Sequence, residues 1–131
     1  MRAHTRFLLL LGLLTASGCG KKSTDQLLED LKSSEERDRL VAVRLLPQHT
    51  GDASRIVPAL IEALKDKESD IRRSAALGLG SFAEQAKDAI PALQVAKGDR
   101  DARVRESAAI ALSRIDPERF PNPSKTKQPV K

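Results

Sequence analysis

Residues 57–80 read VPALIEALKDKESDIRRSAALGLG, and residues 90–113 read IPALQVAKGDRDARVRESAAIALS. The two segments match at a constant offset of 33 residues, which aligns Arg72 with Arg105. A weaker copy lies before them, and we align its second half at an offset of 34 residues, so that Val43 corresponds to Leu77. Self-similarity at a fixed period of this length is typical of repeat proteins built by stacking one structural unit.

The residue pattern of each copy predicts two helices joined by a short turn. A proline in the first turn is expected to mark the start of the first helix, at Pro58 and at Pro91. The second helix carries small and apolar residues on one face, and Gly80 is expected to end it. No segment alternates with period two, so we expect no sheet.

The repeated residues resemble a known family, the short HEAT-like repeats of the phycobilin-lyase type, over about residues 25–116. The residues that carry the resemblance are Asp66, Ile71, Arg72, Ala75, Leu79 and Gly80, with Asp99, Val104, Arg105, Ala108, Leu112 and Ser113 in the next copy. The resemblance implies an all-α fold, a short right-handed α-solenoid of about three helical-hairpin repeats at about residues 25–50, 54–82 and 87–115. In that family the Asp and Arg often bond between successive repeats. The resemblance therefore implies a structural ladder formed by Asp66, Arg72, Asp99 and Arg105, and it implies nothing catalytic.

The N-terminal residues have the pattern of an export signal. Two arginines and no acid precede the apolar run FLLLLGLL at residues 7–14, which is too short to span a bilayer. Small residues follow this run, as they do before the cleavage site of a secretory signal peptide.

The sequence TASGC at residues 15–19 resembles the bacterial lipobox. The resemblance implies a signal peptide at residues 1–18, cleavage between Gly18 and Cys19, and diacylglycerol and acyl chains on Cys19. Residues 19–24 would then form the lipidated cysteine and a short linker. Plain cleavage that leaves a free thiol is the alternative. With Gly20 in place of an aspartate, the same resemblance implies the outer membrane, facing the periplasm.

Composition excludes several classes of site. The net charge of +5 comes from the two ends, because residues 23–116 hold 15 basic and 17 acidic side chains. With no Trp, no Tyr and this nearly neutral middle, we expect no nucleic-acid partner. A single Cys excludes a disulfide framework within the chain, and we expect no metal, no cofactor beyond the acyl chains, and no catalytic residue. The Pro-rich basic segment at residues 117–131 is expected to be a disordered tail.

One row of apolar residues lies away from the predicted core face of the second helices. The row is Val43, Leu77 and Ile110, and the charged residues beside it are Arg39, Arg73 and Glu106. Two interpretations remain open at this point. The row either packs between neighbouring helices or forms a surface that grips a peptide.

The sequence predicts a membrane-anchored lipoprotein, a monomer, that acts as a protein–protein interaction module of the bacterial cell envelope. Its partner there is a protein that the sequence does not identify. The alternative is a structural or regulatory subunit of an envelope complex, whose tail contacts lipid head groups or the cell wall. An enzyme is not expected, because no acid–base pair or nucleophile motif is found in the sequence.

Overall fold

The structure, a computed structural model, describes residues 20–122. It contains six α-helices: α1 (Thr24–Asp30), α2 (Glu36–Leu45), α3 (Ala53–Ala63), α4 (Ser69–Ser81), α5 (Ile90–Ala96) and α6 (Ala102–Ile115). Short 3-10 helices follow α2 and precede α5, and no strand occurs between residues 20 and 122. The all-α fold of stacked helical hairpins is therefore confirmed. The predicted signal peptide, Cys19 and the end of the tail lie outside the described residues.

The hairpins α1–α2, α3–α4 and α5–α6 stack so that the second helices form a row. Helix α4 is central, since it packs against α2, α3 and α6. The predicted core face of α4, with Ile71, Ala75 and Leu79, is fully buried. None of the helices in this part of the chain is both long and apolar enough to cross a bilayer.

The first helix was expected to begin at a proline in the second and third repeats. The structure agrees with this expectation in the third repeat and not in the second. Helix α5 begins at Ile90 with Pro91 in its first turn. Helix α3 begins at Ala53, so Pro58 lies inside it and the expectation was wrong there. A proline within a helix leaves one carbonyl without its N–H partner, here that of Ser54. Because Ser54 and Pro58 are both exposed, water can hydrate that carbonyl.

Gly80 does not end α4, which continues to Ser81, and no glycine among residues 20–122 has a positive φ. Its role is to allow close approach of α4 to α6. A Cβ atom at position 80 would lie 3.0 Å from the Cα and 3.2 Å from the Cβ of Ala111. The missing side chain therefore sets the distance between the two second helices.

Gly80→Ala is expected to lower the free energy of unfolding, although alanine is the better helix former. Overpacking against a backbone atom costs about 1–3 kcal/mol, which exceeds the gain in helix propensity of about 1 kcal/mol over most of that range. Urea unfolding followed by circular dichroism measures the change. Gly51→Ala is the matched control, because a Cβ there meets nothing within 4 Å. A stabilised Gly80→Ala protein would contradict this account of the α4–α6 contact.

Phe120, which lies in the predicted disordered tail, packs on the repeats. The backbone N–H of Phe120 donates to the carbonyl of Asp116 at 2.9 Å, which turns the chain back toward α6. The Phe120 ring is partly buried against the core. The physical reason is that the last repeat would otherwise leave its apolar face uncovered. Residues 123–131 lie outside the described part of the chain.

Candidate functional site

A deeply buried charged contact joins the second and third repeats. The guanidinium of Arg72 donates from Nε to Oδ2 of Asp99 at 2.8 Å and from Nη2 to Oδ1 at 2.9 Å. Its Nη1 donates to the carbonyls of Asp66 and Lys67. The Arg72 and Asp99 side chains are only 6% and 13% exposed. Two-pronged pairs of this kind are strong and directional, so the contact fixes how one repeat sits on the next.

An equivalent contact joins the first and second repeats, through Arg39. Its Nε donates to Oδ2 of Asp66 at 2.8 Å and its Nη2 to Oδ1 at 3.3 Å, while Nη1 donates to the carbonyls of Ser33 and Ser34. Arg39 was a candidate for partner contact, but the residue is buried in this ion pair and is not available to a partner. We call the series Arg39–Asp66, Arg72–Asp99 and Arg105 the ladder.

The ladder shows that the first repeat follows the same 33-residue offset as the others. At that offset Arg39 aligns with Arg72, and Val43 aligns with Ala76 rather than with Leu77. Val43 is accordingly fully buried, which favours the packing interpretation of the row at this position. The residue equivalent to Leu77 is Arg44, which is exposed. The even spacing of the three arginines was the sequence signal that would have found this alignment.

The ion pairs shift the acid–base equilibria of the ladder carboxyls. The hydrogen bond from Arg72 holds the pKa of the Asp99 carboxyl below its usual range. Partial burial alone would raise the pKa of the Asp66 carboxyl, but the hydrogen bonds from Arg39 and from the Glu68 N–H outweigh it and lower the pKa. Both carboxyls are therefore held in the charged form that the arginines require.

A groove of about 390 Å³ runs between α2 and α4. Its lining residues are Val43, Arg44, Pro47, Arg73, Ser74, Leu77, Gly78 and Ser81. Arg44 and Arg73 are exposed, Leu77 is half-buried, and no acidic residue lines the groove. We call this feature the α2/α4 groove.

The structure brings together only part of the predicted binding row. Arg73 and Leu77 share the α2/α4 groove, and Val43 lies at its base. Glu106 and Ile110 belong to α6 and do not line it. Leu77 therefore lines the α2/α4 groove, whereas Ile110 lies outside it.

A polar cluster that the sequence reasoning missed lies at the start of α1. The Thr24 hydroxyl lies 3.0 Å from Nδ1 of His49 and donates to Oδ2 of Asp52 at 2.5 Å. The histidine is not placed between the hydroxyl and the carboxylate, as a base that activates a nucleophile would be. This cluster ties the first hairpin to the turn before α3. Within residues 20–122 no group of three or more His, Cys, Asp or Glu side chains could hold a metal ion.

A comparison with family models identifies the repeats. A model described as HEAT repeats matches residues 24–113. The chain belongs to the HEAT repeat family. HEAT repeats are indicative of a scaffold for protein–protein interaction, so the coarse function predicted from the sequence is supported.

One solved structure with clear similarity is the complex of CpcE and CpcF of phycocyanin lyase from Nostoc sp. PCC7120. The match has 29% sequence identity and a TM-score of 0.67, and it covers 76% of this chain. The chain spans 40% of the length of that protein. A search of curated proteins found no match. Because the similar structure belongs to a lyase complex, the expectation that this chain is not an enzyme stays a prediction.

Proposed function

We propose that the chain is a lipoprotein of the bacterial cell envelope whose HEAT repeats bind another protein in the α2/α4 groove. The observation that carries the proposal is the composition of this groove. The exposed residues Arg44 and Arg73 line the same groove as the apolar side chain of Leu77. A partner segment with a carboxylate and an apolar side chain is complementary to that arrangement.

The membrane attachment in this proposal rests on the sequence of residues 1–19. The short apolar run and the TASGC motif support export and acylation of Cys19. Two or three acyl chains give a firm anchor, because each buried methylene contributes about 0.8 kcal/mol. Gly20 supports the outer membrane, with the repeats in the periplasm.

The similar lyase complex supports a protein as the partner. Its name describes an assembly of two proteins, CpcE and CpcF. We propose that this chain likewise acts by binding a protein, and that its groove positions the partner without chemistry of its own. A partner with enzymatic activity would fit the same arrangement.

The double variant Arg44→Glu with Arg73→Glu is expected to weaken partner binding at least tenfold, which corresponds to about 1.4 kcal/mol. Reversing both charges places carboxylates where the partner's carboxylate would lie. A photo-crosslinking amino acid at Ser81, an exposed groove residue, reports binding in intact cells as a slower band on a gel.

The matched control is Arg37→Glu with Lys87→Glu, since both residues are exposed and neither lines the groove. This control has the same change in net charge and is expected to keep the crosslink. A crosslink that survives the groove reversal at full strength would show that the partner binds elsewhere.

Cys19→Ala is expected to abolish labelling of the chain by an alkyne fatty acid fed to the cells. The same change should move the protein from the membrane fraction to the soluble fraction, because the acyl chains supply the anchor. Gel fluorescence and fractionation measure the two effects, with the wild-type chain as the positive control. Absence of label on the wild-type chain would favour plain cleavage.

A further inference from the structure

Arg105 is the last arginine of the ladder, and only Nη1 of its guanidinium donates hydrogen bonds to residues 20–122. Nη1 of Arg105 donates to the carbonyls of Asp99 and Arg100 at 2.8 and 3.2 Å. Nη1 of Arg72 makes the equivalent two bonds in the preceding repeat. Nε and Nη2 of Arg105 have no acceptor among residues 20–122, and the residue is exposed. The side chain is therefore held in the carboxylate-binding geometry while its binding edge faces solvent.

The residues outside the described range offer no side-chain carboxylate to fill this position. Residues 1–19 and 123–131 of the sequence contain no Asp and no Glu. Within the described range, no carboxylate forms an ion pair with Arg105. The side-chain carboxylates of residues 1–131 therefore leave Nε and Nη2 of Arg105 unpaired.

A second copy of the chain, stacked head to tail, would not supply the carboxylate either. The position equivalent to Asp66 and Asp99 in the first repeat is Ser33. Its Oγ accepts from the Glu35 N–H at 3.1 Å, as Oδ1 of Asp66 accepts from the Glu68 N–H at 2.9 Å. Ser33 thus preserves the shape of the turn but removes the charge that would pair with an arginine. This difference disfavours an open polymer of identical chains.

The surface next to Arg105 combines apolar and basic side chains. A cavity of about 380 Å³ is lined by Lys97, Ala109, Leu112, Arg119, Phe120 and Pro121. Arg105 lies four residues before Ala109 on α6, and therefore on the same helix face. No acidic residue lines the cavity. We call Arg105 together with these lining residues the end surface.

We propose that the end surface binds an Asp-bearing turn of a different protein, with Arg105 holding the carboxylate as Arg72 holds Asp99. The apolar lining residues of the cavity receive a neighbouring aliphatic side chain of the same segment, and Lys97 and Arg119 favour an acidic segment. This surface is separate from the α2/α4 groove, so the chain can bring two proteins together.

The test uses a probe that copies a ladder turn of the chain itself. A peptide of residues 62–71, EALKDKESDI, with blocked termini carries Asp66 and a net charge of −2. It is titrated into the ¹⁵N-labelled full chain in a zwitterionic detergent, and the Nε–Hε signals of the arginines are followed by NMR. We expect a saturable shift of the Arg105 signal at millimolar peptide, while the buried Arg72 signal stays in place.

Two controls decide the outcome. The peptide with Asp66→Asn is expected to shift the Arg105 signal at least fivefold less, because it lacks the charge that strengthens the hydrogen bonds. The Arg44→Glu, Arg73→Glu protein is expected to keep the full shift, which separates this proposal from the one on the groove. Equal shifts with both peptides, or no shift at all, would overturn the proposal. So would concentration-dependent polymers of the chain that disappear with Arg105→Met, because the occupant would then be a second copy.

Discussion

Arg72→Met is expected to lower the free energy of unfolding by about 3–5 kcal/mol, which is a large part of the stability of a small domain. Methionine keeps the apolar stem of the side chain but removes the guanidinium. The Asp99 carboxylate, 13% exposed, would then remain without its cation, and the carbonyls of Asp66 and Lys67 would lose their donor. An unpaired buried charge costs far more than a solvated one. Urea unfolding followed by circular dichroism measures the loss.

Arg103→Met is the matched control for this prediction. Nη2 of Arg103 lies 3.3 Å from carboxylate oxygens of Asp70 and of Asp101, but the Arg103 side chain is 57% exposed. Exposed pairs contribute about 0–1 kcal/mol, so the loss should stay below about 1 kcal/mol. If the two variants lose the same amount of stability, burial is not what makes the ladder contact strong.

Leu79→Ala is expected to cost about 2–5 kcal/mol. Leu79 is fully buried in α4, the helix that packs against both neighbouring second helices. Truncation removes apolar contacts and leaves a cavity that these packed helices cannot close. The midpoint of urea unfolding should fall, and a partly unfolded protein at zero urea would agree with the upper end of this range.

Val95→Ala serves as the control because Val95 is 79% exposed. A residue with so little burial has little transfer energy to lose, and alanine is the better helix former. We therefore expect no loss of stability. A loss comparable to that of Leu79→Ala would mean that Val95 is covered in the folded protein, contrary to the structure.

The class of fold could be predicted from the sequence because each repeat contains its own set of apolar core residues. Ile71, Ala75 and Leu79 and their counterparts recur at a fixed offset, and a periodic apolar face leaves few alternatives to stacked hairpins. The family resemblance implied the ladder residues Asp66, Arg72, Asp99 and Arg105, but it did not include Arg39, which pairs with Asp66. The apolar patterns can be recognised in the sequence because all the residues that form them lie within one repeat.

The alignment of the first repeat was harder to predict. Short apolar stretches such as LVAVRLL fit two offsets that differ by one residue, and hydrophobicity alone favours neither. The ion pair of Arg39 with Asp66 decides it, but this contact joins residues 27 positions apart and is formed only when the repeats stack. The same limit applies to Phe120, whose burial depends on the uncovered face of the last repeat. The composition of the α2/α4 groove depended on that alignment as well.

The start of α1 limits how far the domain can move from a membrane. The Ser23 hydroxyl accepts from the Gln26 N–H and the Gln26 side chain accepts from the Ser23 N–H, so the helix is fixed from Thr24 onward. With Cys19 acylated as proposed, the linker between the Cα atoms of Cys19 and Thr24 extends at most about 18 Å. The first hairpin would then stay close to the lipid surface, and a partner would have to come to the bilayer to be captured.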